Sequence, residues 1–145
     1  MRAQFPLGAL PSLLAVLLLS AVPGWWLVQA QPKQNPNFTG TVTPITENSQ
    51  GNIAHFRFEP GARTKWHSHD GGQIILVEDG VCRTQLKGGP VMELHAGDTT
   101  YAPPGVPHWH GAAPDQGCTQ FNVSRGAANW MAEVSEKEYT AAVKK

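Results

Sequence analysis

Gly61-Ala62-Arg63-Thr64-Lys65-Trp66-His67-Ser68-His69-Asp70-Gly71-Gly72-Gln73 sets two histidines two residues apart, with a glutamine four residues after the second. On an extended strand, side chains at i and i+2 leave the same face. His67 and His69 therefore look the same way from one backbone, within reach of one cation. Gln73 shares their parity, although Gly71-Gly72 bends the chain before it. A second stretch repeats the device: Gly97-Asp98-Thr99-Thr100-Tyr101-Ala102-Pro103-Pro104-Gly105-Val106-Pro107-His108-Trp109-His110 ends in another His-x-His pair after a rigid Pro/Gly corner. Imidazole nitrogen is the commonest protein ligand of Mn, Fe, Co, Ni and Zn, so four histidines in two same-face pairs point to one metal.

Together the stretches read GxxxxxHxHxxxQxxxxxxG (Gly61 to Gly80) and GxxxxxPxGxxH (Gly97 to His108). These resemble the two signature motifs of the cupin family. The resemblance implies an all-β fold, a double-stranded β-helix (jelly-roll) barrel with one divalent ion inside, held by His67, His69, Gln73 and His108. Gln73 stands where that family usually has Glu, and Ala112 where it usually has Asn. Three neutral imidazoles and an amide oxygen leave the +2 of a divalent ion uncompensated. Such a site favours a Lewis acid over a site with its own carboxylate base. His110 shares the parity of His108 and should face the same pocket. Two roles suit it, general base or hydrogen-bond partner of a ligand.

A closer resemblance covers nearly all of the chain after residue 30. Phe38-Thr39-Gly40, Phe58-Glu59-Pro60-Gly61-Ala62-Arg63-Thr64, Trp66-His67 with His69 and Gln73, Pro104-Gly105, His108-Trp109-His110-Gly111-Ala112-Ala113-Pro114 and Trp130-Met131 are similar to the bacterial cupin hydroxynitrile lyases and to the carboxymuconolactone-decarboxylase-associated cupins. Those lyases use a His/His/Gln/His set and manganese. The resemblance therefore implies Mn, ahead of Fe, Co, Ni or Zn. It also implies reversible cleavage of a cyanohydrin to an aldehyde and cyanide, with His110 assisting proton transfer, and a homodimer formed through the sheet edges. Gln120 and Ser124 fall at substrate-pocket positions where the lyases carry His and Gln. Two other classes compete, a metal-dependent dioxygenase and a non-catalytic module for a metal or small ligand.

The chain opens with one Arg, a leucine-rich run (Leu13-Leu14-Ala15-Val16-Leu17-Leu18-Leu19), Pro23-Gly24 and Val28-Gln29-Ala30. This is the pattern of a secretory signal peptide over 1–30, with an uncleaved anchor as the alternative. A secreted or periplasmic location follows. Removing the leader takes one Arg from eleven basic residues and leaves ten against eleven acidic, a net charge of −1. No basic block suggests nucleic acid or an anionic membrane, and the resemblance implies a small-molecule substrate. An exported compartment permits a disulfide between Cys82 and Cys118, but the sequence does not show whether their Cα atoms approach. Asn37-Phe38-Thr39 and Asn122-Val123-Ser124 fit the glycosylation pattern, the second within a strand.

The remaining chain, about 115 residues, suits one domain. A flexible lead-in spans 31–36, a barrel 37–130 and a helical tail 131–145. Ala54, Phe56 and Phe58 alternate with Ile53, His55 and Arg57, a half-buried strand with His55 outward. Gln73-Ile74-Ile75-Leu76-Val77 is a continuous apolar run, expected as a strand covered on both faces. His95 falls in a solvated turn. Ser135-Glu136-Lys137-Glu138 is a capping box, predicting a helix over about 136–143. Trp130, Met131, Val134 and Tyr139 are its expected contacts.

Overall fold

The computed structural model describes residues 35–47 and 52–144. The expected leader and most of the lead-in lie outside them. The described chain is a nearly closed β-barrel, as the sequence predicts. Its strands are β1 (Phe38–Thr39), β2 (Val42–Glu47), β3 (Ile53–Phe58), β4 (Arg63–Thr64), β5 (His67–His69), β6 (Gln73–Leu86), β7 (Val91–His95), β8 (Thr99–Ala102), β9 (His108–Ala112), β10 (Cys118–Ser124), β11 (Ala128–Trp130) and β12 (Val143–Lys144). One helical turn, α1 (Glu136–Tyr139), precedes β12. Among the described residues, no helix is long and apolar enough to cross a membrane.

The long strand β6 belongs to both layers of the jelly roll. Its first half pairs with β8 and β10, and its second half, from Val81, with β7 and β9. The change of partner falls at Gly80, which has φ 76° and lies so close to β10 that a Cβ would sit 2.0 Å from the Gly117 carbonyl oxygen. Only glycine meets both demands, a positive φ and no side chain.

Inward residues of both layers build the core: Phe58, Ala62, Val77, Cys82, Leu94, Ala112 and Cys118. Cys82 and Cys118 form a disulfide within it, with Cα atoms 5.4 Å apart, joining β6 to β10. The question left open by spacing is thus settled by tertiary approach. The outer face of β6 corrects one expectation. Ile75 and Val77 are buried, but Ile74 and Leu76 are 48% and 40% exposed. Ile74 lies beside exposed Tyr101 on β8 and Val123 on β10, which neighbours exposed Ile53 on β3. A run of apolar residues does not reveal how many layers cover a strand, and in this barrel only one does. On that outer face His55 stacks on Phe121, with ring centroids 3.9 Å apart, and meets Glu78 at 2.6 Å. His95 is exposed, as expected, although it ends β7.

The tail forms its capping box, Ser135 Oγ accepting from Glu138 N–H and Glu138 Oε2 accepting from Ser135 N–H. The helix is shorter than predicted. It ends at Tyr139, and Val143–Lys144 pairs in parallel with Val91 and Met92 of β7. A single turn gains little from its own hydrogen bonds, whereas an open strand edge supplies partners for the backbone that follows. Tyr139, Val134, Trp66, Trp109 and Val91 make a second buried cluster. The Arg63 guanidinium lies over the Tyr139 ring at 4.3 Å, donates to the Val134 carbonyl and pairs with Glu136, pinning the tail to β4.

Candidate metal centre

Strands β5 and β9 run antiparallel, with His67 opposite His108. The register turns two local His-x-His patterns into one inward cluster. Ring centroids of His67 lie 4.3 Å from His108, 5.3 Å from His69 and 5.2 Å from His110. All four residues are buried. Among the described residues, ring nitrogens of His67, His108 and His110 lie within 4.8 Å of one another. Gln73 arrives from the start of β6. Gly72, with φ 83° and room for no Cβ against the Ala102 carbonyl, makes the tight turn that brings it in. Gln73 Oε1 ends 2.8 Å from His108 Nε2, and its Nε2 donates to Ser124 Oγ at 3.0 Å.

The donor set fits a divalent cation. His67 and His108 each aim Nδ1 at a backbone carbonyl two residues earlier, Lys65 at 2.9 Å and Val106 at 3.0 Å. A carbonyl only accepts, so each Nδ1 carries the proton and each Nε2 presents a lone pair. His108 Nε2 then presents a lone pair 2.8 Å from the Gln73 amide, whose oxygen is a second donor atom suited to a cation. His69 Nδ1 is buried with no hydrogen-bond partner. Burial holds the rings neutral: it pushes His67 down to about 3, helped by neighbouring His108, and lowers His69 and His108. Neutral imidazole is the ligating form.

His110 is held well below the usual histidine range by burial, then by His67, His108 and His69. Its Nδ1 meets the Gln120 amide at 2.7 Å. The other end of that amide faces Cys82 Sγ at 3.6 Å. A disulfide sulfur has no hydrogen to give, so an amide oxygen there would go unpaired. The orientation that pairs everything has the oxygen accepting from His110 Nδ1–H and the NH2 group against sulfur, a weak acceptor. His110 Nε2 is then a bare lone pair. Gln120 is fully buried behind His110 and is not part of the cavity wall, in contrast to its expected place in the substrate pocket.

A cavity of about 290 Å³ opens beside these residues. His67, His69, Gln73, His110 and Ser124 border it, and Phe38, Phe56 and Trp130 give it an aromatic wall. Phe38 packs edge-on against Phe56 and Trp130, at centroid distances of 5.7 and 6.3 Å, and Trp130 lies 4.7 Å from the His67 ring. Asn122 also lines it. Sequence reasoning missed this residue as a site residue, although it shares the parity of Gln120 and Ser124. It is 2% exposed, which leaves no room for a glycan on its sequon in the folded protein.

Known proteins resemble this chain in sequence and fold. Residues 54–123 match the cupin domain. A protein from Granulicella tundricola named (R)-mandelonitrile lyase is 40% identical over 111 residues, spanning 70% of this chain and 85% of its own. The crystal structure of a cupin-like protein from Thermotoga maritima is 42% identical, with a TM-score of 0.64 over 74% of this chain and 88% of that one. The polyketide cyclase RemF from Streptomyces resistomycificus shares the fold alone, at 22% identity and a TM-score of 0.52 over 72% and 77% of the chains. The barrel, the inward histidines and this likeness place the chain in the cupin family.

Proposed function

We propose that this protein is an exported, manganese-dependent lyase that cleaves aromatic cyanohydrins to an aldehyde and cyanide. The observation that carries the reading is a neutral imidazole set with an amide oxygen, placed beside an aromatic-walled cavity that His110 also borders. Similarity to a protein named (R)-mandelonitrile lyase supports the same chemistry. His67, His69, Gln73 and His108 would hold the metal. A divalent ion there would supply a Lewis acid for the substrate oxygen.

The rest falls to the chain itself. Phe38, Phe56 and Trp130 receive the aryl group and exclude water from it. His110 Nε2, with Nδ1 held by Gln120, takes the hydroxyl proton as the C–O bond becomes a carbonyl and the C–C bond to cyanide breaks. The same nitrogen returns the proton to the departing cyanide, so hydrogen cyanide leaves and His110 ends neutral. Gln120 cannot exchange protons itself and acts as a positioning residue.

The test is benzaldehyde release from mandelonitrile by the manganese-loaded chain from residue 31, against the same protein stripped by chelator. Metal-dependent release above the uncatalysed decay is expected. Equal rates with and without metal would end the reading, and oxygen uptake by the iron-loaded protein would then test the dioxygenase class.

A further inference from the structure

Strand β10 presents three polar side chains in succession to the barrel interior: Gln120, Asn122 and Ser124. The outer two have partners. Gln120 is committed to His110, and Ser124 Oγ accepts from Gln73. Asn122, between them, does not: its Oδ1 is buried and has no hydrogen-bond partner. Its neighbours across the sheet are Ile75 on β6 and Ala54 on β3, and neither side chain carries a donor. A buried acceptor without a donor is a standing cost that native proteins rarely carry without a use. Asn122 lines the cavity, so a molecule held there can supply the missing donor.

The aromatic lining of the same cavity states the rest of the occupant's chemistry. Phe38, Phe56 and Trp130 form an edge-to-face aromatic surface, which favours a ring. A phenol is the simplest ring whose substituent donates to Asn122. We propose that Asn122 is a specificity-determining residue that accepts a hydrogen bond from a hydroxyl group on the aromatic ring of the bound molecule. Resting on the lyase reading, this makes the preferred substrates ring-hydroxylated aromatic cyanohydrins. It leaves the cyanohydrin hydroxyl free for His110.

The test compares binding of phenol and anisole, the same ring with and without a donor, by calorimetry on the metal-loaded protein. Phenol should bind about tenfold more tightly, the weight of one good hydrogen bond to a group otherwise unpaired. Asn122→Leu should bind the two equally and melt no lower than the parent, because no partner is lost. Asn122→Asp keeps an acceptor in place and should keep the preference. A phenol preference that persists in Asn122→Leu would assign it to the metal and overturn the proposal. A markedly lower melting temperature of Asn122→Leu would make Asn122 structural, and loss of preference in Asn122→Asp would also refute the proposal. Turnover separates the two readings. A phenol preference in a protein that leaves mandelonitrile intact removes the lyase and keeps Asn122, and cleavage without the preference does the reverse.

Discussion

Replacing both Cys82 and Cys118 by alanine tests whether the bridge in the barrel core carries a large share of the stability. The bridge closes a loop of sequence separation 36. In the chain-entropy treatment a loop of that length restricts the unfolded state by about 13 cal/mol/K, or about 4 kcal/mol at 25 °C. Both side chains are almost wholly buried, so their shortening adds a small void and a further cost of about 1 kcal/mol. A loss of about 4–5 kcal/mol is about a quarter or more of what a domain of this size usually holds. Urea unfolding of the oxidised parent and the double variant measures it, and the variant should show the steeper slope, because its unfolded chain lacks the cross-link and exposes more surface. The bridge also abuts Gln120, so the variant should keep its metal while His110 loses part of its fixed orientation and turnover falls. A stability difference below about 1 kcal/mol, or two free thiols in the denatured oxidised parent, would refute this account.

Acid should unfold the metal-free protein early. His67 titrates near 3 when folded and near 6.5 when unfolded, so below 6.5 the unfolded chain takes up a proton that the native chain refuses. Stability is therefore intact above 6.5 and falls with pH, by roughly 3 kcal/mol from His67 alone between 6.5 and 4, with His69, His108 and His110 acting in the same direction. Chemical unfolding at stepped pH measures it, and a flat profile from 7 to 4.5 would contradict neutral burial. His69→Ala should abolish stoichiometric metal by elemental analysis, whereas full occupancy would remove His69 from the ligand set. His110→Ala should keep the metal and lose turnover at least a hundredfold. The homodimer implied by the resemblance predicts a two-chain mass by light scattering. A one-chain mass would count against that expectation.

Much of the site is legible in the chain because strand geometry is local. Period-two alternation sends His67 with His69, and His108 with His110, to one side whatever the rest of the protein does. The Ser135–Glu138 box is local in the same sense, since its partners lie three positions apart. Asn122 was equally legible by parity, lying between Gln120 and Ser124. Nothing in its residue type separates a ligand contact from a satisfied core amide, and only the absence of a donor on Ile75 and Ala54 does so.

What the sequence by itself determined is a set of short strands with alternating faces, because these follow from alternation and turns, while the two motifs implied the barrel and its ligands through their resemblance to the cupin family. The tertiary structure decided what depends on approach between distant segments. It brought Cys82 within bridging range of Cys118 and placed Gln120 behind His110. It turned Gln73 Oε1 toward His108, left Ile74 and Leu76 uncovered, and drew Val143–Lys144 from the expected helix onto β7. The physical reason is that a strand's own period says which way a side chain points. What it then meets is set by the register and layering of strands far away in the chain, where the closing of long loops and the burial of apolar surface compete.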